Sequence, residues 1–71
     1  MKYWIKERRN PQLGTSYSYF GQLTLREAKR YESTLYGFNV MHPFPSPEAA
    51  AAELARLKEA GERVNALSFT P

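Results

Sequence analysis

Two alternating runs joined by a five-residue turn commit the N-terminal third of this chain to a β-hairpin. Tyr3–Arg9 reads as the first strand. Strand side chains alternate, so Lys2, Trp4, Lys6 and Arg8 share one face while Tyr3 and Ile5 share the other. Asn10-Pro11-Gln12-Leu13-Gly14 supplies the reversal: proline fixes φ, and glycine takes any left-handed position. Thr15–Phe20 is β-branched and aromatic enough for the return strand, which closes the hairpin before Gly21.

Two helix starts follow. Thr24-Leu25-Arg26-Glu27 is a capping box, and Leu23 can staple onto Ala28. The helix is expected to run from about 25 to 35, with Leu25, Ala28, Glu32 and Leu35 on one line, and Gly37 as its stop. Phe38–Phe44 is a second extended stretch, kept short or at an edge by Pro43 and Pro45. Ser46-Pro47-Glu48 opens a second, Ala-rich helix to about residue 60, with an N-cap serine, proline at the first position and an acid at the positive end of the dipole. Leu54 and Leu57 fall at core spacing and Gly61 closes the helix. Ion pairs are expected at Arg56/Glu59, Lys58/Glu62 and Glu59/Arg63. Val64–Phe69 is a last short strand, and if it lies with 38–44 in one sheet the two should be parallel. The expected fold is therefore α+β: a single domain over 1–71, order β-β-α-β-α-(β), with both helices on one face of a three- or four-stranded sheet.

Composition narrows the function classes. A chain of 71 residues buries only about 60% of its unfolded surface and stays marginal unless stapled. With no Cys it has no disulfide, which fits a reducing, cytoplasmic setting. One His, no Cys and no Asp do not furnish a structural metal site, so no metal and no cofactor are expected. No apolar run approaches the roughly 20 residues of a membrane span.

His42 is the one side chain with an ordinary pKa near neutrality, but acid–base work needs an orienting carboxylate, nucleophile or metal beside it. The sequence shows none near it, and neither Ser16 nor Ser18 has a neighbouring base, so the chain reads as a non-enzyme. The four glycines sit singly at turns and build no phosphate cradle.

The remaining constellation is basic and aromatic. Residues 1–38 carry eight of the ten aromatics and seven of the ten Lys and Arg, against three Glu. Trp4, Tyr17 and Tyr19 beside Lys2, Lys6 and Arg8 are expected to make a partner-binding surface centred on an exposed Trp4 and extending to Arg26 and Arg30; with the hairpin turned the other way, Trp4 would belong to the core and the cations would only solubilise an edge. Trp, Tyr and Arg are the residues enriched at protein hot spots. The same set could stack bases and neutralise phosphates, which makes nucleic acid the alternative partner. The net charge of +3 is modest for a dedicated nucleic-acid binder and favours protein.

In size, charge and element order the whole chain resembles small early proteins encoded by bacteriophages, single domains that dock on a host machine. Among these it is most similar to lytic-phage regulators that bind bacterial RNA polymerase. The resemblance implies a monomer in the host cytoplasm that hinders initiation or promotes antitermination by clamping or competition, with acidic polymerase surfaces as its partner. Anti-CRISPR proteins share the same general character. No residue roles carry over, because the resemblance rests on no alignable motif.

Overall fold

The alternation along the first strand is realised, and it buries both faces of that strand. The computed structural model describes residues 1–34 and 37–65, apart from the side chains of 33, 34, 37 and 38. The chain order is β1 (Lys2–Asn10), β2 (Gly14–Leu23), α1 (Leu25–Lys29), β3 (Ser33–Thr34), β4 (Gly37–Phe44), α2 (Pro47–Glu59) and β5 (Arg63–Asn65). The sheet order is β3-β4-β1-β2-β5. β1 is antiparallel to both β2 and β4, and β5 runs parallel to β2. The domain is α+β, with four strands of three or more residues and the two-residue β3 at one edge. β5 and β4 point the same way, as expected, but β1 and β2 lie between them.

Trp4 and Ile5 are neighbours on β1, and each is buried in a different cluster. Trp4 packs with Ala28 and Met41, flanked by Phe20 and Leu23. Ile5 packs with Ala50 and Leu54, flanked by Tyr17, Tyr19, Phe44 and Val64. Adjacent strand residues face opposite ways, so α1 and α2 cover opposite faces. The expectation that both helices share one face is corrected here. A central strand with large apolar side chains at consecutive positions needs cover on both sides. Leu54 and Leu57 are buried by α2, each worth about 1.5–3 kcal/mol of transfer free energy.

The helix starts form as expected. Thr24 N–H donates to Glu27 Oε1 at 2.9 Å, and Glu27 N–H returns to Thr24 Oγ1 at 3.2 Å. Ala49 N–H donates to Ser46 Oγ at 3.1 Å. Gly61, at φ +89, lets Glu62 N–H reach back to Leu57 O at 3.0 Å.

The end of α1 departs from expectation. After Lys29 the bonds tighten to three-residue spacing, Arg30 N–H to Glu27 O and Tyr31 N–H to Ala28 O. Asn39 on β4 then takes the next carbonyls: its backbone N–H bonds Glu32 O at 3.0 Å and its Nδ2 bonds Tyr31 O at 2.5 Å. The helix is ended by a distant strand, and Ser33–Thr34 pairs with that strand instead of continuing the helix. Gly37 starts β4 and is not the helix stop. Leu25 is exposed, so of the expected core line Ala28 alone is buried; Leu35 lies outside the described residues, as do 66–69 of the expected last strand.

β2 also passes Gly21 and runs to Leu23. Its register with β1 jumps from Gly21 to Tyr19, leaving Phe20 as the extra residue of a bulge, with Gly21 at φ +79. Gly21→Ala would meet no atom within 4 Å, so backbone strain alone should destabilise it, by about 1–2 kcal/mol. A lowered urea midpoint with an unchanged slope checks this.

Candidate partner-binding face

The face that carries Trp4 was expected to be solvated with the indole at its centre. Trp4 is instead 4% exposed, and its Nε1–H donates to Leu23 O at 2.9 Å. α1 lies over it through Ala28, which has no exposed surface. Tyr17 and Tyr19 pair with Glu7 and Ile5, so they point to the α2 face and join the Ile5 cluster. The sheet therefore separates the three aromatics from one another's surface: Trp4 on one side, the two tyrosines on the other. An exposed patch of Trp4, Tyr17 and Tyr19 does not exist.

The cations of the expected site do share a side. Lys2, Lys6 and Arg8 alternate with the α2-facing residues of β1, and Arg26 and Arg30 are exposed on or just past α1. Lys6 is half-buried with its Nζ 4.6 Å from the centre of the Phe20 ring, a cation–π contact. Phe20 in turn meets Tyr31 edge-on at 4.8 Å. Burial, and then the neighbouring Arg8 charge, lower the Lys6 pKa.

A further cation joins them that local pattern did not reveal. β5 pairs Ser16 with Arg63 in parallel register, and Ser16 is itself opposite Arg8. Arg63 thus lies on the α1 side, two strands from Arg8. The signal was long-range strand pairing, which no window of sequence contains.

The resulting charge partition is uneven. Elements on the α1 side carry Lys2, Lys6, Arg8, Arg26, Lys29, Arg30 and Arg63 against Glu27 and Glu32. Elements on the α2 side carry Arg9, Arg56 and Lys58 against Glu7, Glu48, Glu53, Glu59 and Glu62. The formal balance is +5 on one side and −2 on the other, which together make the chain's +3. Exposed Leu25, 62%, and Tyr31, 42%, are the large apolar groups among the α1-side cations. Leu25, Arg26 and Lys29 line one shallow groove.

The α2 side holds a polar cluster that sequence reasoning missed. His42 Nε2 lies 2.8 Å from Glu7 Oε1, and Arg9 Nε–H donates to Glu7 Oε2 at 2.6 Å. His42 therefore has the carboxylate partner that the sequence did not place beside it. The signal was available: Glu7 falls on the Ile5 face of β1, and a carboxylate at a core-facing position implies a partner. Glu7 is 8% exposed. Burial opposes its charge, but the hydrogen bonds from Arg9 and His42 and the charges behind them outweigh it, and its pKa lies below the ordinary value. Burial, then the carboxylates of Glu7, Glu62 and Glu53, push the Tyr17 hydroxyl up and keep it protonated.

Glu7, His42 and Tyr17 line a recess of about 190 Å³ with Ile5, Phe44 and Leu57. Glu53 and Arg56 form a two-bond pair at its rim, at 2.8 and 2.6 Å. Arg56 thus pairs with Glu53, one turn before it, where Glu59 was expected. Neither Ser16 nor Ser18 reaches the recess, because both face the α1 side. Among the described residues no group of three His or acidic side chains could hold a metal, and no helix is long and apolar enough to cross a membrane.

Compared with protein-family models, characterised proteins and solved structures, the chain has no match.

Proposed function

We propose that this domain works by binding, docking its cationic α1 face on an acidic protein surface without chemistry of its own. The observation that carries the reading is the charge partition across the sheet. Seven cations against two carboxylates on one side steer and orient the domain towards a negative partner. Leu25 and Tyr31 supply apolar contact among those cations. A domain of this size can offer about 800 Å² to a partner.

The burial of Trp4 and the turning of Tyr17 and Tyr19 to the other face favour protein over single-stranded nucleic acid. Stacking platforms need successive exposed rings among the cations, and on the α1 side Tyr31 is the exposed ring among the described residues. By the resemblance to lytic-phage regulators, bacterial RNA polymerase is the partner to test first, with inhibition of initiation or antitermination as the effect.

The test is a triple reversal, Arg26→Glu, Lys29→Glu and Arg30→Glu, read by surface binding to purified polymerase core and holoenzyme. These side chains are exposed, so the fold should survive. The association rate should fall at least about tenfold and lose its salt dependence. Unchanged binding by the reversed domain refutes the docking face. Absence of binding by the unaltered domain removes polymerase as the partner. Steeply salt-dependent capture of unrelated DNA or RNA would favour nucleic acid.

A further inference from the structure

The register of the sheet puts two arginines on either side of one hydroxyl, with Lys6 in the next row. On the α1 side, Arg8 of β1, Ser16 of β2 and Arg63 of β5 form one row across the strands, and Lys6, Ser18 and Asn65 form the next. Neighbouring strands lie about 4.8 Å apart, so the Arg8 and Arg63 backbones straddle Ser16 with roughly 10 Å between them. Lys6 is two residues from Arg8 on the same face, about 7 Å along the strand. Ser16 is half-buried and Arg63 exposed.

No carboxylate shares this surface of β1, β2 or β5: Glu7 faces α2. Neither Arg8 nor Arg63 has an ion pair among the described residues. Like charges held this close without a counter-ion are unfavourable. Lys6 registers that cost, since burial and the Arg8 charge both work against its protonated form. An anion seated between them would relieve it. Arginine presents planar forked donors matched to phosphate oxygens, and a hydroxyl adds one more donor.

We infer that this surface is a phosphate-binding subsite in which Arg8 and Arg63 close on a phosphate monoester above the Ser16 hydroxyl, with the Lys6 ammonium, seated over the Phe20 ring, adding positive charge from the next row. Two guanidinium groups with a third positive charge in the next row suit a dianion better than the single charge of a nucleic-acid diester. The group can come from a free phosphate ester or from a phosphorylated side chain of a protein. The subsite shares Lys6, Arg8 and Arg63 with the cationic side counted above but uses no residue of α1, so its test is separable from that of the docking face.

The experiment is a titration of the ¹⁵N-labelled domain with inorganic phosphate, against sodium chloride at equal ionic strength. Parallel arms use phosphoserine, a phosphoserine peptide with its unphosphorylated form, and a short single-stranded oligonucleotide. Saturable shifts are expected at the amides of 6–8, 16–18 and 63–65, at millimolar phosphate. Tighter binding of the phosphopeptide than of phosphoserine assigns the group to a protein side chain, and equal binding to a free ester. Both sustain the subsite. Arg8→Gln with Arg63→Gln should weaken phosphate at least tenfold while the spectrum stays that of a folded domain, and Arg30→Gln should leave it unchanged. The triple α1 reversal should keep the phosphate shifts, so this subsite and the docking face can fail separately. Non-saturating shifts, shifts equally strong at 26–30, an unaffected double variant, or tighter binding of the oligonucleotide would each overturn the inference.

Discussion

Trp4→Ala is expected to unfold the domain. The indole is 4% exposed and holds Ala28 and Met41 together, with Phe20 and Leu23 around it. Truncating a buried Trp to Ala typically costs 3–5 kcal/mol, because the cavity refills only in part. Small domains have total stabilities near the low end of 5–15 kcal/mol, so this one substitution removes most of the reserve. The loss reaches beyond packing, since Trp4 Nε1–H satisfies Leu23 O just before the capping box. Trp4→Phe keeps much of the ring volume and loses that bond, at about 1 kcal/mol. Urea unfolding followed by circular dichroism should therefore rank the variants as native, then Phe, then Ala, with Ala lacking a cooperative transition. An Ala variant as stable as the native chain would show that α1 does not seal this face. Because Trp4 is internal, the folded Phe variant should bind a partner as the native chain does.

What was legible in the sequence was local. The hairpin turn, the Thr24 capping box and the Ser46-Pro47 start each sit within a few residues, and each formed where expected. Alternation also divided β1 correctly into Lys2, Trp4, Lys6 and Arg8 against Tyr3 and Ile5. It could not say which face would be covered, and both are. The length of α1 was illegible for the same reason: Asn39, eight residues beyond Tyr31, terminates it. The cationic side was half legible as the basic N-terminal half. Its completion by Arg63 and the pairing of Glu7 with His42, 35 residues apart, depend on strand order, which a sequence window does not contain.

Glu7→Gln is expected to destabilise the domain at neutral pH and to match the native chain in acid. Glu7 joins β1 to β4 through His42 and is braced by Arg9 on its own strand. Hydrogen bonds to a charged group contribute about 1.5–3 kcal/mol, and the amide keeps the shape while surrendering the charge. The sign follows from the lowered pKa. A carboxyl whose folded pKa lies below its unfolded value of about 4.3 stabilises the fold fully above that value. The contribution disappears as pH falls through the folded pKa, where the native carboxyl also becomes neutral. Glu27 and Glu53 are lowered as well, by the Thr24 cap and by Arg56, so the Glu7→Gln variant keeps an acid-sensitive limb of its own. The diagnostic quantity is thus the difference between the two chains. Urea midpoints measured from pH 7 downwards should begin to converge as pH falls below about 4.3, the unfolded value, and meet only below the folded pKa. Curves that stay parallel over the whole range would mean that the Glu7 charge does not hold β1 to β4, and that its lowered pKa has no part in stability.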